Sequence, residues 1–90
     1  VSSYLEYRLN KLLVLYPKFI SQLTGLGLLR GIGLTENLTA ADLSAALRIR
    51  GILTVPAGLN TLRILPPLII TKQEIDVFSD ALTECFEEAS

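Results

Sequence analysis

Arg63 is the side chain of this sequence best suited to bind a ligand. It lies within the β-rich run 61–65, directly before two prolines. Because a strand alternates faces, Thr61, Arg63 and Leu65 share one face of that strand. A guanidinium group needs an anionic partner if it is buried, and its fork fits a carboxylate bidentately. Two interpretations remain open: Arg63 binds an anion, or its side chain reaches from the sheet into solvent.

Other kinds of chemistry have little support in the sequence. The chain has no His, which excludes Ser-His-Asp and Cys-His sites and His-ligated metals. Cys85, the single cysteine, cannot form an internal disulfide, and its place on an apolar helix face predicts a small buried side chain. Eight basic and nine acidic residues give a net charge of -1, which argues against a nucleic-acid partner. The acidic residues of 71–90 are interpreted as a solvated helix face.

Hydrophobic periodicity and turn signals predict three helices and three strands. The helices are expected over 2–16, over 40–50 and from Thr71 onward; the strands over 28–34, 52–55 and 61–65. A Gly-rich bend is expected to lead into the first strand. The order α-β-α-β-β-α predicts an α+β fold with a three-stranded antiparallel sheet, in the strand order 1-3-2, and helices on at least one face.

Local signals mark the helix ends and faces. Thr39 has the spacing of an N-cap, Gly51 that of a left-handed residue after a helix, and Thr71 with Glu74 that of a capping box. Two apolar stripes are expected in the core: Leu5, Leu9, Leu12, Leu13 and Tyr16 in the first helix, and Ile75, Phe78, Leu82, Cys85 and Phe86 in the last.

Length and composition predict one small domain, part of whose apolar surface is covered by another domain or another subunit. The chain has 90 residues, 50% of them hydrophobic and 19% charged, and it contains no Met. We therefore expect a fragment of a larger protein, with an obligate oligomer as the alternative. No apolar run reaches the length of a membrane span, so no membrane association is expected.

The segment 54–71 resembles the end of class III pyridoxal-phosphate aminotransferases, closest to the acetylornithine aminotransferase branch. The matching positions of its Gly-x-Asn-x-x-Arg pattern and the following Pro-Pro-Leu are Gly58, Asn60, Arg63, Ile64, Pro66, Pro67 and Leu68. The Gly-rich run 25–31 resembles a strand of the same family. Two departures stand out: Thr24 where the family usually has Arg, and Gly33 where many members have an acidic residue.

The resemblance implies that residues 1–90 are the C-terminal small domain of a fold-type I enzyme that forms a homodimer. It implies that Arg63 binds the α-carboxylate of the amino-acid or 2-oxo-acid substrate. The Schiff-base lysine and the contacts to pyridoxal 5'-phosphate would lie in a large domain, since Lys11, Lys18 and Lys72 match no such context. It therefore implies no catalytic residue, cofactor-binding residue or metal ligand in this chain.

The function implied is amino-group transfer from N-acetylornithine to 2-oxoglutarate, in cytoplasmic arginine biosynthesis. The 90-residue chain alone is expected to be inactive. The alternatives are another class III aminotransferase, acting on ornithine, succinylornithine, 4-aminobutyrate or a lysine-pathway amine, and a stand-alone α+β module for ligand binding or dimerisation.

Overall fold

The computed structural model describes residues 2–26, 29–58, 60–64 and 71–89. In chain order its elements are α1 (Ser2–Leu15), β1 (Ile20–Leu26), β2 (Leu29–Leu34), α2 (Ala40–Ile49), β3 (Val55–Pro56), β4 (Thr61–Ile64) and α3 (Lys72–Ala89). The predicted α+β class and all three predicted helices are confirmed. None of the helices in these ranges is both long and apolar enough to cross a membrane.

The sheet has four antiparallel strands in the order β1-β2-β4-β3. The predicted three-stranded sheet is therefore wrong, and the full order differs from 1-3-2 because β1 lies at the edge beside β2. The three predicted strands keep their predicted relative order, β2-β4-β3. The missed strand is β1, which forms a hairpin with β2 through pairs from Ile20 opposite Leu34 to Leu26 opposite Leu29. Its glycine and polar residues are weak strand formers, and pairing with β2 overrides that preference. The predicted bend at Gly27 and the predicted strand start at Leu28 lie outside the described residues.

The predicted strand 52–55 is reduced to β3, which contains only Val55 and Pro56. The residues before β3 form hydrogen bonds with α2 instead of with a neighbouring strand. The amide of Ile52 donates to the carbonyl oxygen of Leu47 at 3.0 Å. The hydroxyl groups of Thr54 and Ser44 lie 3.3 Å apart in a buried hydrogen bond. These contacts hold the chain against the helix until Val55 reaches the sheet.

The predicted caps are present. The amide of Asp42 donates to Thr39 Oγ1 at 3.2 Å, so Thr39 is the N-cap of α2. At the start of α3, the amide of Glu74 donates to Thr71 Oγ1 at 3.1 Å, and the amide of Thr71 donates to Glu74 Oε1 at 3.0 Å. This reciprocal pair is a capping box. Gly51 follows α2 with a φ of 81°, a conformation that other residues rarely adopt.

One hydrophobic core joins all three helices to one face of the sheet. Ile32 on β2 and Leu62 and Ile64 on β4 are buried in it. Phe19, which precedes β1, stacks on Phe86 of α3 with 5.4 Å between ring centroids. The apolar stripes predicted for α1 and α3 both pack in this core, with Leu13 and Tyr16 only partly buried.

The opposite face of the sheet, called here the open face, carries few apolar side chains. It consists of Gln22 and Thr24 on β1, Gly31 and Gly33 on β2, Thr61 and Arg63 on β4, and Val55 on β3. Arg63, Thr24, Gln22 and Val55 are exposed, and Thr61 is partly buried. The side chains that face the helices are therefore mostly apolar, with the exception of Arg30, which reaches Glu6 of α1, and those on the open face are mostly polar.

Candidate functional site

Arg63 lies on β4, an interior strand, where it pairs with Gly31 of β2 on one side and Val55 of β3 on the other. Its neighbours Leu62 and Ile64 are buried against the helices, so alternation directs Arg63 to the open face. Thr61 shares that face, as predicted. Leu65, which was also expected there, lies outside the described residues, as do Pro66, Pro67 and Leu68 of the motif.

The Arg63 side chain is exposed in this chain. The ion pairs of the described residues involve Arg8, Arg30 and Arg50, and none of them involves Arg63. Its positive charge is therefore available to an anion that approaches the open face. The substrate-binding role of Arg63 stays a prediction at this point.

An open pocket of about 410 Å³ surrounds Arg63. Thr24, Gly31 and Thr61 line it together with Ala57 and Arg30. Arg30 is already engaged, because its guanidinium lies 3.5 Å from a carboxylate oxygen of Glu6 on α1. The pocket thus contains the guanidinium of Arg63, which has no carboxylate partner among the described residues, and the hydroxyl groups of two threonines. Gly31 lies between these side chains and leaves space for a ligand.

The glycines of β2 allow side chains of β1 to approach closely. A Cβ atom at Gly31 would lie 2.7 Å from Thr24 Oγ1, and one at Gly33 would lie 2.8 Å from Gln22 Cγ. Both distances are too short for a real contact, so a larger residue at either position would require Thr24 or Gln22 to move its side chain. The two departures from the family pattern, Thr24 and Gly33, lie together on the open face.

Thr24 lines the pocket, although it is not among the candidate residues predicted from the sequence. Its position next to the pocket depends on β1 being a strand and on the register that sets Thr24 opposite Gly31. Polar residues at 22 and 24, with apolar Leu23 between them, are a period-two signal that could have indicated this strand.

The lysines of the chain lie elsewhere. Lys18 Nζ is 5.5 Å from the centroid of the Phe19 ring, and Lys72 Nζ is 4.9 Å from that of Tyr4. Lys11 is exposed on α1. The described lining of the Arg63 pocket contains no lysine. The described lining of the pocket, with Arg63 and two threonines, therefore fits a carboxylate.

The acidic residues of α3 bind neighbouring helices. Arg8 of α1 reaches Asp76 at 2.7 Å and Asp80 at 3.4 Å. Arg50, after α2, reaches Glu84 at 3.3 Å and Glu88 at 2.7 Å. The hydrogen bond with Glu88 is the main reason that the pKa of Arg50 is raised. Among the described residues no group of acidic or Cys side chains could hold a metal ion.

Cys85 is buried in the core, as predicted. Burial raises the pKa of its thiol, while the nearby charge of Arg50 opposes that shift. A buried, protonated thiol is a poor nucleophile, so Cys85 has the environment of a packing residue.

Comparison with known proteins identifies this architecture. Residues 1–86 match the family described as Aminotransferase class-III. The mitochondrial acetylornithine aminotransferase of Debaryomyces hansenii is 39% identical over 82 residues, which cover 91% of this chain and 18% of the relative. The acetylornithine aminotransferase of Prochlorococcus marinus subsp. pastoris is 39% identical over 80 residues, covering 88% and 19%.

Solved structures agree with the sequence relatives. Lysine aminotransferase from M. tuberculosis in the internal aldimine form superposes with a TM-score of 0.89 at 28% identity, over 99% of this chain and 20% of that one. N-acetylornithine aminotransferase from Stenotrophomonas maltophilia gives 0.81 at 26% identity, over 99% and 26%. The chain spans about a fifth of the length of the curated relatives it matches. Its sequence and its fold together place it in the class-III aminotransferase family.

Proposed function

We propose that residues 1–90 form the C-terminal small domain of a pyridoxal-phosphate-dependent aminotransferase, and that Arg63 binds the α-carboxylate of its substrates. The observation that carries this proposal is the position of Arg63. Its guanidinium lies exposed on the open face, beside a pocket, without a carboxylate partner in the described part of the chain. It also lies within the 86 residues that match the family.

In this proposal the chain binds and orients the substrate. The planar fork of Arg63 holds both carboxylate oxygens, which fixes the orientation of the substrate as well as its position. Pyridoxal phosphate supplies the amino-transfer chemistry when bound in the remainder of the enzyme. The amine that binds the cofactor belongs to that remainder, because the described pocket offers no lysine.

For the reaction, we propose transfer from N-acetylornithine to 2-oxoglutarate in arginine biosynthesis, by a cytoplasmic homodimer. The names of the two sequence relatives and of the Stenotrophomonas structure support this donor. A second candidate donor is lysine, because the lysine aminotransferase structure superposes with a TM-score of 0.89. The α-amine of N-acetylornithine is acylated, so its terminal amine is the one transferred, several bonds from its α-carboxylate. In 2-oxoglutarate the reacting carbonyl adjoins the α-carboxylate, so for this substrate Arg63 would hold the carboxylate beside the reacting carbon.

The test is Arg63→Ala in the complete enzyme that carries this segment. Losing one partner of a desolvated charge pair costs about 2–5 kcal/mol, so kcat/KM for 2-oxoglutarate should fall by roughly 30- to 5,000-fold. Arg63→Lys should recover only part of the loss, because an ammonium group cannot form the fork. The matched control is Arg48→Ala, since Arg48 is an exposed arginine on α2.

Normal kcat/KM in Arg63→Ala for both substrates would show that the assignment is wrong. So would a loss of activity that is fully explained by loss of the cofactor or of the fold, which absorbance and circular dichroism would detect. Comparing N-acetylornithine, ornithine, lysine and 4-aminobutyrate as donors identifies the substrate. A stand-alone module would instead show no in-frame upstream coding sequence for a large domain.

A further inference from the structure

Thr24 and Arg63 lie on opposite sides of the same glycine. Gly31 pairs with Thr24 of β1 and with Arg63 of β4. Neighbouring strands are about 4.8 Å apart, so the Cα atoms of Thr24 and Arg63 are separated by roughly 10 Å. Both side chains are on the open face and both line the pocket of about 410 Å³. A ligand seated over Gly31 can therefore contact both of them.

The missing side chain at Gly31 lets the Thr24 hydroxyl lean across β2 toward β4. Thr24 Oγ1 lies 2.7 Å from the place that a Cβ atom of residue 31 would occupy. Its one hydrogen bond among the described residues is to the carbonyl oxygen of Gly31 at 3.5 Å, which is long. The hydroxyl proton is therefore available for a stronger acceptor. Thr61 presents its methyl carbon, Cγ2, to the same place at 3.6 Å.

We propose that Thr24 is a further substrate-binding residue, and that its hydroxyl donates a hydrogen bond to the carboxylate held by Arg63, in addition to those of the guanidinium. This inference rests on the proposed function, which supplies the carboxylate. A bidentate arginine uses two of the four lone-pair directions of a carboxylate, so two directions remain and a hydroxyl donor can occupy one of them. The methyl group of Thr61 forms an apolar side of the space above Gly31.

The charge balance of the pocket favours a monoanionic group. Arg63 contributes one positive charge, and the charge of Arg30 is compensated by Glu6. The Thr24 hydroxyl adds a neutral hydrogen-bond donor, which strengthens the binding of a carboxylate without adding charge. A single carboxylate therefore matches this end of the site in both charge and donor number.

The experiment is steady-state kinetics of the complete pyridoxal-phosphate-loaded enzyme with Thr24→Val, a substitution of nearly equal shape that removes the hydroxyl. A hydrogen bond to a charged group is worth enough to predict an increase in KM for 2-oxoglutarate of about 10-fold. Thr24→Ser, which keeps the hydroxyl, should remain within about 3-fold of the unmodified enzyme, an estimate that allows for the lost methyl packing. The matched control is Thr83→Val on α3, which makes the same substitution outside the described lining of the pocket and should leave KM nearly unchanged.

The outcomes separate this inference from the proposed function. If Arg63→Ala impairs the enzyme but Thr24→Val does not, the role of Thr24 is refuted and the role of Arg63 stands. If Thr24→Val and Thr83→Val raise KM equally, the effect is not specific to the pocket and the inference is refuted. If Arg63→Ala has no effect, the proposed function fails and this inference fails with it. A Thr24→Val effect that Thr24→Ser does not share supports the hydrogen bond.

Discussion

Two buried serines in similar helical settings give a sharp test of the energetics of this fold. Ser79 in α3 is fully buried, and its hydroxyl has no hydrogen-bond partner among the described residues. Ser44 in α2 is also buried, but its hydroxyl donates to the carbonyl oxygen of Thr54 and accepts from Thr54 Oγ1, both at 3.3 Å. We expect Ser79→Ala to stabilise the protein and Ser44→Ala to destabilise it.

The expected difference follows from three terms. Alanine is favoured over serine in a helix by about 0.5 kcal/mol, and this gain is common to both variants. Removing an unsatisfied buried hydroxyl relieves about 1–3 kcal/mol of desolvation cost, reduced by the packing that the oxygen provided, so Ser79→Ala should gain about 1–2 kcal/mol. Ser44→Ala loses a buried hydrogen bond and leaves Thr54 Oγ1 unpaired, which costs about 1–2 kcal/mol.

The assay is urea and thermal unfolding followed by far-ultraviolet circular dichroism, because the chain contains no Trp. The two variants should differ by about 2–4 kcal/mol in the free energy of unfolding. For a domain of this size, 1 kcal/mol shifts Tm by about 4–8 °C, so their midpoints should differ by roughly 10 °C or more. Equal shifts in the two variants, or a lower stability of Ser79→Ala than of the unmodified protein, would refute the reasoning.

Two further predictions concern the helix ends and the core. The pKa of the Cys85 thiol is raised above its ordinary 9.0 mainly by burial, so this group stabilises the fold below pH 9 and that contribution is lost as pH rises through the raised pKa. Stability should therefore fall on the alkaline side, and less steeply in Cys85→Ala; identical pH profiles of the two proteins would contradict this. Gly51→Ala should lower the free energy of unfolding by about 1 kcal/mol, because the φ of 81° at this position is unfavourable for alanine. Ala45→Gly, at an exposed position within α2, should lower the free energy of unfolding by about the same amount through helix propensity alone. An unchanged urea midpoint in Gly51→Ala would show that the left-handed conformation is not required.

The sequence determined the features that depend on near neighbours along the chain. Thr39, Thr71 and Gly51 were identified because a cap satisfies backbone groups within one turn of its own residue. The buried stripes of α1 and α3 followed from helical periodicity, which fixes relative side-chain directions before any tertiary contact forms. Alternation along β4 likewise predicted that Arg63 and Thr61 share a face.

The residues that neighbour Arg63 on the open face, Gly31 and Thr24, were decided by the tertiary structure. Strand β1 was missed because Gly25 and the glycines after it favour a bend, although the alternation at Gln22, Leu23 and Thr24 is typical of a strand; pairing with β2 makes the whole segment a strand. The register of that pair then sets Thr24 opposite Gly31, and the pairing of β2 with β4 sets Gly31 opposite Arg63. A shift by one residue in either pair would move Thr24 or Gly31 to the core face. The candidate site is thus a product of two registers, which depend on the packing of the whole sheet and which no short stretch of sequence encodes.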